Sequence, residues 1–165
     1  MTIKQLNATY DREEDRILLK ITVETLEKST HEYRFWFTRA NTLWLMAQVD
    51  QRIISSLKNH HHSPAQAEEI ANFQQEALAE ASNFNADFEE APVRPLGDVP
   101  QLVHQLQIGW ESDQCTLILQ LQNKSHITIT LTDQLMSQTK LLLQKICTQA
   151  KWIEVLHLLT PTIIH

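Results

Sequence analysis

The chain has 165 residues, of which 42% are hydrophobic and 21% are charged. This composition is typical of a globular protein with a core of its own, and it excludes a disordered chain. The sequence holds only two glycines, so the glycine-rich loops with which P-loop and dinucleotide-binding enzymes cradle phosphates are excluded.

Three antiparallel strands and a helix are predicted in the N-terminal region. Apolar side chains alternate with polar ones in three runs separated by polar turns, which is the pattern of strands with one buried face. The apolar positions are Leu6, Ala8 and Tyr10, then Ile17, Leu19, Ile21 and Val23, then Tyr33, Phe35 and Phe37. Thr38 follows the third run and can cap a helix, because its hydroxyl can accept a hydrogen bond from a first-turn amide. The helix is apolar on more than one side at Leu43, Trp44 and Leu45, so we expect it to be buried between two layers.

A second helix of different character is predicted as an insert. Ser63 can cap it, Pro64 suits its first position, and Gln66 can reach back to complete a capping box. Its apolar side chains recur at helical spacing: Ile70, Phe73, Ala77, Ala81, Phe84 and Phe88. Packing of this stripe on the rest of the protein and packing in the seam of a dimer both remain open.

The acidity of the chain is concentrated in this insert. Residues 63–98 carry eight acidic side chains and one basic side chain, whereas the formal net charge of the whole chain is −6. The flanking regions are therefore nearly neutral, and the overall charge says little about what their strands bind. A proline-rich linker over residues 91–100 cannot form a regular helix, and its length suits a crossing over one end of a sheet.

The C-terminal region repeats the N-terminal pattern. Three alternating runs are again followed by a threonine, Thr132, that can cap a helix. The apolar positions are Leu106, Ile108 and Trp110, then Cys115, Leu117, Leu119 and Leu121, then Ile127, Ile129 and Leu131. We therefore predict an α+β fold of duplicated βββα units, antiparallel three-stranded meanders each followed by a long helix, with the amphipathic acidic helix inserted between them. The predicted parts are residues 1–62, 63–100 and 101–165 within one compact domain, and a six-stranded meander with two helices and no true repeat is the alternative.

Three consecutive histidines, His60, His61 and His62, are the candidate metal ligands, since imidazole binds zinc, copper and nickel. Adjacent residues point in different directions, so we interpret them as a solvated turn at the negative end of a helix. No metal or other cofactor is expected. Cys115 is in phase with core positions and Cys147 lies on an apolar helix, so both thiols are expected to be buried and structural.

The expected location is the cytoplasm. The N-terminal residues do not form a secretory signal, and no apolar run is long enough to cross a membrane. Two isolated cysteines suit a reducing compartment. These features predict a soluble, intracellular protein that does not contact a membrane.

A basic and aromatic sheet face is predicted around Arg34 and Trp36. If the alternating apolar residues of the third strand face the core, these two side chains and Lys20 lie on the other side of the sheet. Such a face could stack bases and hold phosphates. The interpretation we favour is that Trp36 is covered by a helix or by a partner subunit, because large exposed apolar patches usually become interfaces.

The sequence predicts a non-enzymatic interaction or assembly module that forms a homodimer or binds another protein. No catalytic motif stands out, and the apolar end of the chain, residues 155–165, is expected to dock on the body or on another subunit. The predicted interaction residues are Arg34, Trp36, Arg39, Phe73, Phe84 and Phe88. The alternative is single-stranded nucleic-acid binding on the face around Arg34 and Trp36, since the repeated strand-and-helix layout resembles that of Whirly and PUR-type proteins, whose repeats carry four strands.

Overall fold

The computed structural model describes residues 2–59, 63–81 and 87–153. The predicted α+β class is confirmed, because these residues form a six-stranded mixed sheet and three helices. In chain order the elements are β1 (Thr2–Asp11), β2 (Arg16–Glu24), β3 (Thr30–Phe37), α1 (Arg39–Asn59), α2 (Pro64–Ala81), β4 (Gln101–Trp110), β5 (Gln114–Leu121), β6 (His126–Thr132) and α3 (Asp133–Gln149). No helix of the described residues is long and apolar enough to cross a membrane.

The sheet has the strand order β1-β2-β3-β4-β5-β6. Strands β1 to β3 form one antiparallel meander and strands β4 to β6 form another. The two meanders join through a short parallel pairing of β3 with β4, in which Phe35 lies opposite Gln101 and Trp36 lies opposite Leu102. Because this junction spans only two residue pairs, most of the edge of β3 remains for other contacts.

A β-bulge interrupts the first strand of each meander at the equivalent position. The register shifts between Ile3 and Gln5 in β1, and between Val103 and Gln105 in β4. Because a bulge adds one residue to a strand, two side chains on either side of it point to the same face when they are three positions apart instead of two. This explains why Val103 and Leu106 are both buried.

The core lies between the inner faces of the meanders and the helices. The buried positions of β5 and β6 alternate along each strand as the sequence predicts, since successive side chains point to opposite faces. In β2 and β3 the buried apolar side chains follow the same alternation, but Thr22 and Glu32 are buried out of phase with them. Phe35, Phe37, Ile17, Leu119 and Leu143 are among the largest fully buried side chains.

Each meander is followed by a helix that contacts the other meander. From α1, the Asn41 side chain donates to the carbonyl of Val103 at 2.9 Å, and Arg52 donates to the carbonyls of Glu111 at 2.8 Å and Ser112 at 3.2 Å. Helix α3 packs on β1 and against α1. The two helices therefore hold the halves of the sheet together.

The predicted helix caps are present. The amide of Asn41 donates to the Thr38 hydroxyl, and the amide of Leu135 donates to the Thr132 hydroxyl, each at 3.2 Å. At the start of α2, the amide of Gln66 donates to the Ser63 hydroxyl at 3.2 Å. The side-chain oxygen of Gln66, Oε1, accepts from the Ser63 amide at 3.1 Å, as a capping box requires.

The stripe predicted for the inserted helix does not pack as a whole on the rest of the chain. Among the α2 side chains that the structure describes, Ala67 and Ala71 are buried, whereas Phe73 is 71% exposed. Phe73 lies two residues beyond Ala71, about 200° around the helix, so the two cannot share a face. Phe88 falls after the helix and lies on the sheet, and Phe84 is outside the described residues.

Trp44 also differs from the expectation of a helix buried on more than one side. Leu45, Met46 and Val49 are buried, but Trp44 is 39% exposed. Helix α1 therefore covers the core with one face and presents an aromatic side chain on another.

Candidate functional site

The outer face of the first meander gathers the polar and aromatic side chains of β2 and β3. Since Phe35 and Phe37 point inward, alternation directs Arg34 and Trp36 outward. In the observed register Lys20 lies opposite Arg34, and Trp36 lies opposite Leu18. The three side chains that the sequence assigns to one face are thus neighbours there.

A segment that precedes β4 crosses this face. We call residues 87–93 the strap. Its first part is held by the side chain of Gln5 in β1. The Gln5 Oε1 accepts from the Glu89 amide at 3.0 Å, and the Gln5 Nε2 donates to the Asp87 carbonyl at 3.5 Å. Phe88 then passes next to β2, with the ammonium of Lys20 5.5 Å from its ring centre. The linker therefore covers the outer face instead of crossing one end of the sheet.

The second part of the strap joins the free edge of β3. The amide of Glu32 donates to the Val93 carbonyl at 2.8 Å, and His31 forms a parallel bridge with Val93. The Glu32 carboxylate accepts from the Ala91 amide at 2.9 Å. A turn follows in which the Gly97 amide donates to the Arg94 carbonyl at 2.9 Å. Gly97 has a φ of 83°, a conformation that glycine adopts without strain.

Glu32 is the buried centre of the site. Its side chain is inaccessible, and it accepts from the Arg34 Nε at 2.5 Å while the Arg94 Nε lies 3.7 Å away. Burial acts to raise the pKa of Glu32. The hydrogen bonds from Arg34 and the Ala91 amide, with the charges of the two arginines, outweigh burial and leave this pKa below its ordinary value.

A second carboxylate, Glu90 of the strap, lies above these arginines. It is contacted by the Lys20 ammonium at 3.7 Å, by Arg34 at 3.2 Å and by Arg94 at 3.0 Å. Arg94 also pairs with Asp98 at 2.8 Å. Three cations thus face three carboxylates, and the cluster is neutral when Glu90 is in place.

Trp36 is covered by a side chain of its own meander. The Arg16 guanidinium lies 4.0 Å from the ring centre, a cation–π distance. Arg16 in turn pairs with Glu14. Trp36 also lies at the junction with β4, so its ring is half-buried rather than open for base stacking.

Arg39 belongs to a different cluster, at the turn between β1 and β2. The Asp15 carboxylate accepts from Arg39 at 2.7 Å, from the Tyr10 hydroxyl at 2.7 Å and from the Trp152 indole at 2.8 Å. The Trp152 and Tyr10 hydrogen bonds, with the charge of Arg39, lower the pKa of Asp15. Asp15 therefore links this turn to both α1 and the segment just after α3.

The sequence does not single out Glu32 or Glu90. Glu32 alternates outward like any solvated strand residue, and its cover comes from a segment about sixty positions away that no local period reveals. Arg94, the one basic side chain within residues 63–98, is the signal that could have drawn attention to the strap.

Both cysteines are free and buried, as predicted. Burial raises the pKa of Cys115 and of Cys147 to about 11, with the nearby charge of Asp133 acting in the same direction on Cys115. A thiol with such a pKa is protonated at neutral pH and is a poor nucleophile.

The predicted histidine cluster, residues 60–62, lies outside the described residues. Within residues 2–59, 63–81 and 87–153, no group of His, Cys, Asp and Glu side chains could hold a metal ion. An apolar pocket between the first meander and β6 has a volume of about 80 Å³; its lining includes Ile3, Val23, Tyr33 and Ile129. This volume is well below the roughly 300 Å³ at which small-molecule sites begin.

Comparisons with known proteins give no relative: no family model, no curated protein and no solved structure matches the chain. Any assignment of function therefore rests on the residues and their geometry.

Proposed function

We propose that this chain is a non-enzymatic protein-interaction module that forms a homodimer through the solvent-facing side of α1. The observation that carries the proposal is a row of exposed positions without charge: Ala40, Trp44, Ala47, Gln51 and Ser55. They recur every three or four residues, so they form one stripe about 22 Å long. Exposed helix faces usually carry charged side chains, and an aromatic residue in an uncharged stripe is typical of an interface.

The stripe is self-complementary about Ala47. In an antiparallel pair of α1 helices related by a two-fold axis, Trp44 of one copy faces Gln51 of the other, and Ala40 faces Ser55. The small side chain of Ala47 lies at the crossing point and lets the backbones approach. A two-fold interface requires this kind of pairing, because a surface patch of one copy contacts the same patch of the other copy.

Phe73 extends the proposed interface onto α2. It is 71% exposed, and α2 packs directly on α1. Covering an aromatic ring with this much apolar surface in water is favourable and stabilises the complex with the partner. Phe73 is also one of the interaction residues that the sequence predicts.

Sedimentation velocity over a range of concentrations tests the homodimer. The expected mass is twice 19.2 kDa. Ala47→Glu is expected to lower the association constant by about 100-fold, because it places two carboxylates next to each other at the two-fold axis. Ala65→Glu is the matched control, since Ala65 is exposed in the first turn of α2, where a negative charge is tolerated. A wild-type protein that stays monomeric at the highest concentration would rule out the proposal.

Single-stranded nucleic-acid binding, the alternative function, has less support. Lys20 and Arg34 both pair with Glu90, and Arg16 stacks on Trp36. The cations and the aromatic ring that a strand would need are therefore occupied by groups of the same chain. A salt-dependent mobility shift with labelled oligonucleotides would revive this alternative.

We also infer that the two βββα units arose by duplication. The bulges recur at Ile3/Gln5 and Val103/Gln105, and the helix caps recur at Thr38 and Thr132. The pairing of Ile17 with Phe37 corresponds to that of Cys115 with Leu131. β-Bulges are conserved within protein families, so their recurrence at the equivalent position of both units supports a common ancestor for the units.

A further inference from the structure

We propose that the outer face of the first meander is a recognition site for acidic peptides of other proteins, and that the strap is its internal occupant. This site is separate from the α1 stripe and does not depend on self-association. The face already binds an extended acidic segment of its own chain, with the sequence Asp87-Phe88-Glu89-Glu90-Ala91.

The face recognises the backbone of the strap. Gln5 contacts an amide and a carbonyl of the strap, and the exposed edge of β3 receives Val93 as an added strand residue. Strand addition of this kind binds peptides through their main chain and leaves specificity to the side chains. Any extended segment can meet the main-chain requirement.

Specificity comes from an anion cradle formed by Lys20, Arg34 and Arg94. The buried Glu32 accepts a hydrogen bond from the Arg34 Nε and thereby fixes that guanidinium group, and its charge attracts the Arg94 guanidinium, whose Nε lies 3.7 Å away. Their terminal nitrogens then point at the Glu90 carboxylate, at 3.2 Å and 3.0 Å. A cradle whose donors are held in advance binds a carboxylate with less loss of side-chain entropy.

The charges of the cradle require an anionic occupant. Lys20, Arg34 and Arg94 supply three positive charges, while Glu32 and Asp98 supply two negative ones. One positive charge is left for the occupant to neutralise, and Glu90 does so in this structure. A carboxylate of another chain carries the same charge and geometry.

Two further positions define the peptide that suits the face. Phe88 lies over the Lys20 ammonium, and Ala91 is buried where its amide meets Glu32. The recognised pattern is therefore an aromatic residue, a carboxylate two positions later and a small residue after it. The Glu90 side chain is 57% exposed, so the internal carboxylate is accessible to competition.

The strap competes as an intramolecular ligand, with an effective concentration in the millimolar range. A test must therefore weaken the strap without removing it from the chain. The full-length F88A/E90Q variant removes the aromatic contact and the charge, while the backbone contacts remain. The F88A/E89Q variant is the matched control, because it loses one carboxylate of the strap and keeps Glu90 in the cradle.

The probe is a labelled, end-capped peptide with the sequence of residues 87–93, and its binding is followed by fluorescence anisotropy. We expect F88A/E90Q to bind it at least about tenfold more tightly than wild type or F88A/E89Q does. A peptide with Gln at the position of Glu90 is expected to bind about tenfold more weakly. Arg34→Gln in the F88A/E90Q background is expected to lose binding.

Three results would overturn the proposal. The first is that F88A/E90Q does not bind the peptide at a peptide concentration of about 1 mM. The second is that the Gln-containing peptide binds as tightly as the original peptide, and the third is that a short oligothymidylate displaces the labelled peptide at a lower concentration than the unlabelled peptide does. Circular dichroism establishes that the variants fold. A further measurement needs no variant: excess peptide is expected to speed hydrogen exchange at the Ala91 amide of the wild type, and unchanged exchange at saturating peptide would also contradict the proposal.

Discussion

The indole N–H of Trp152 donates a hydrogen bond to the Asp15 carboxylate at 2.8 Å, across a sequence separation of 137 residues. Tyr10 lies against the same indole in an edge-to-face contact, with ring centres 5.7 Å apart. Trp152, which follows the end of α3, is thereby fastened to the turn between β1 and β2.

Asp15→Asn is expected to destabilise the fold in a pH-dependent way. The hydrogen bonds from Trp152 and Tyr10 lower the pKa of Asp15 below its ordinary value of 3.8. A carboxyl whose pKa is lower in the folded state adds stability above its unfolded pKa, and this stability is lost as the pH falls through the folded pKa. Urea unfolding should show a difference from wild type at neutral pH that shrinks below about pH 4. Glu13→Gln in the same turn serves as the control, and a pH-independent difference would count against the ionised contact.

Glu32→Gln is expected to lower the free energy of unfolding by about 2 kcal/mol, because it leaves Arg34 and Arg94 beside a neutral buried group. Glu90→Gln is the comparison, since Glu90 contacts the same arginines from a largely exposed position and exposed ion pairs contribute little. Denaturant unfolding of both variants measures the two effects. Equal effects would mean that burial of Glu32 does not decide its role.

Phe35→Ala and Phe73→Ala are expected to differ widely. Phe35 is fully buried and Phe73 is exposed, so the first change opens a cavity and should cost about 3–5 kcal/mol. The second should change the unfolding free energy by less than about 0.5 kcal/mol when measured on the monomer. A large cost at Phe73 in dilute protein would indicate that it packs within its own chain.

Removal of either threonine cap is expected to cost about 1 kcal/mol. The variants are Thr38→Ala and Thr132→Ala, and Thr→Ser at each position should restore most of the stability because the hydroxyl is kept. Thermal unfolding monitored by circular dichroism compares the pairs. If serine restores nothing, the hydrogen bonds to Asn41 and Leu135 are not the source of the effect.

The two thiols are expected to react slowly with a disulfide reagent such as Ellman's reagent in the native protein. Burial raises the pKa of each to about 11, so both access and the thiolate fraction are low. In concentrated guanidinium chloride both should react at once. Rapid reaction of one thiol under native conditions would mean that its helix or strand opens locally.

The sequence predicts this fold well where structure depends on neighbours along the chain. The alternation of Ile17, Leu19 and Ile21 identifies a strand, and Ser63 with Gln66 identifies the start of α2, because both signals lie within a few residues. These local rules also explain why Cys115 is assigned to the core correctly.

The sequence fails where a contact joins distant segments. Phe88 continues the spacing of the α2 stripe, yet it contacts Lys20 on the sheet. The sequence does not single out Glu32, because the residues that cover it, Ala91 and Val93, are distant along the chain. The candidate face could therefore be predicted as a set of outward residues on β2 and β3, but the segment that occupies it could not.

The exchange of helices between the meanders bears on the order in which the chain can fold during synthesis. The inner face of β1 is covered by α3, which is translated more than a hundred residues later. At ordinary rates of elongation the first meander must wait at the ribosome for several seconds with apolar side chains uncovered. The nascent chain is thus exposed to chaperones and to mispairing for longer than a protein of this size with local contacts.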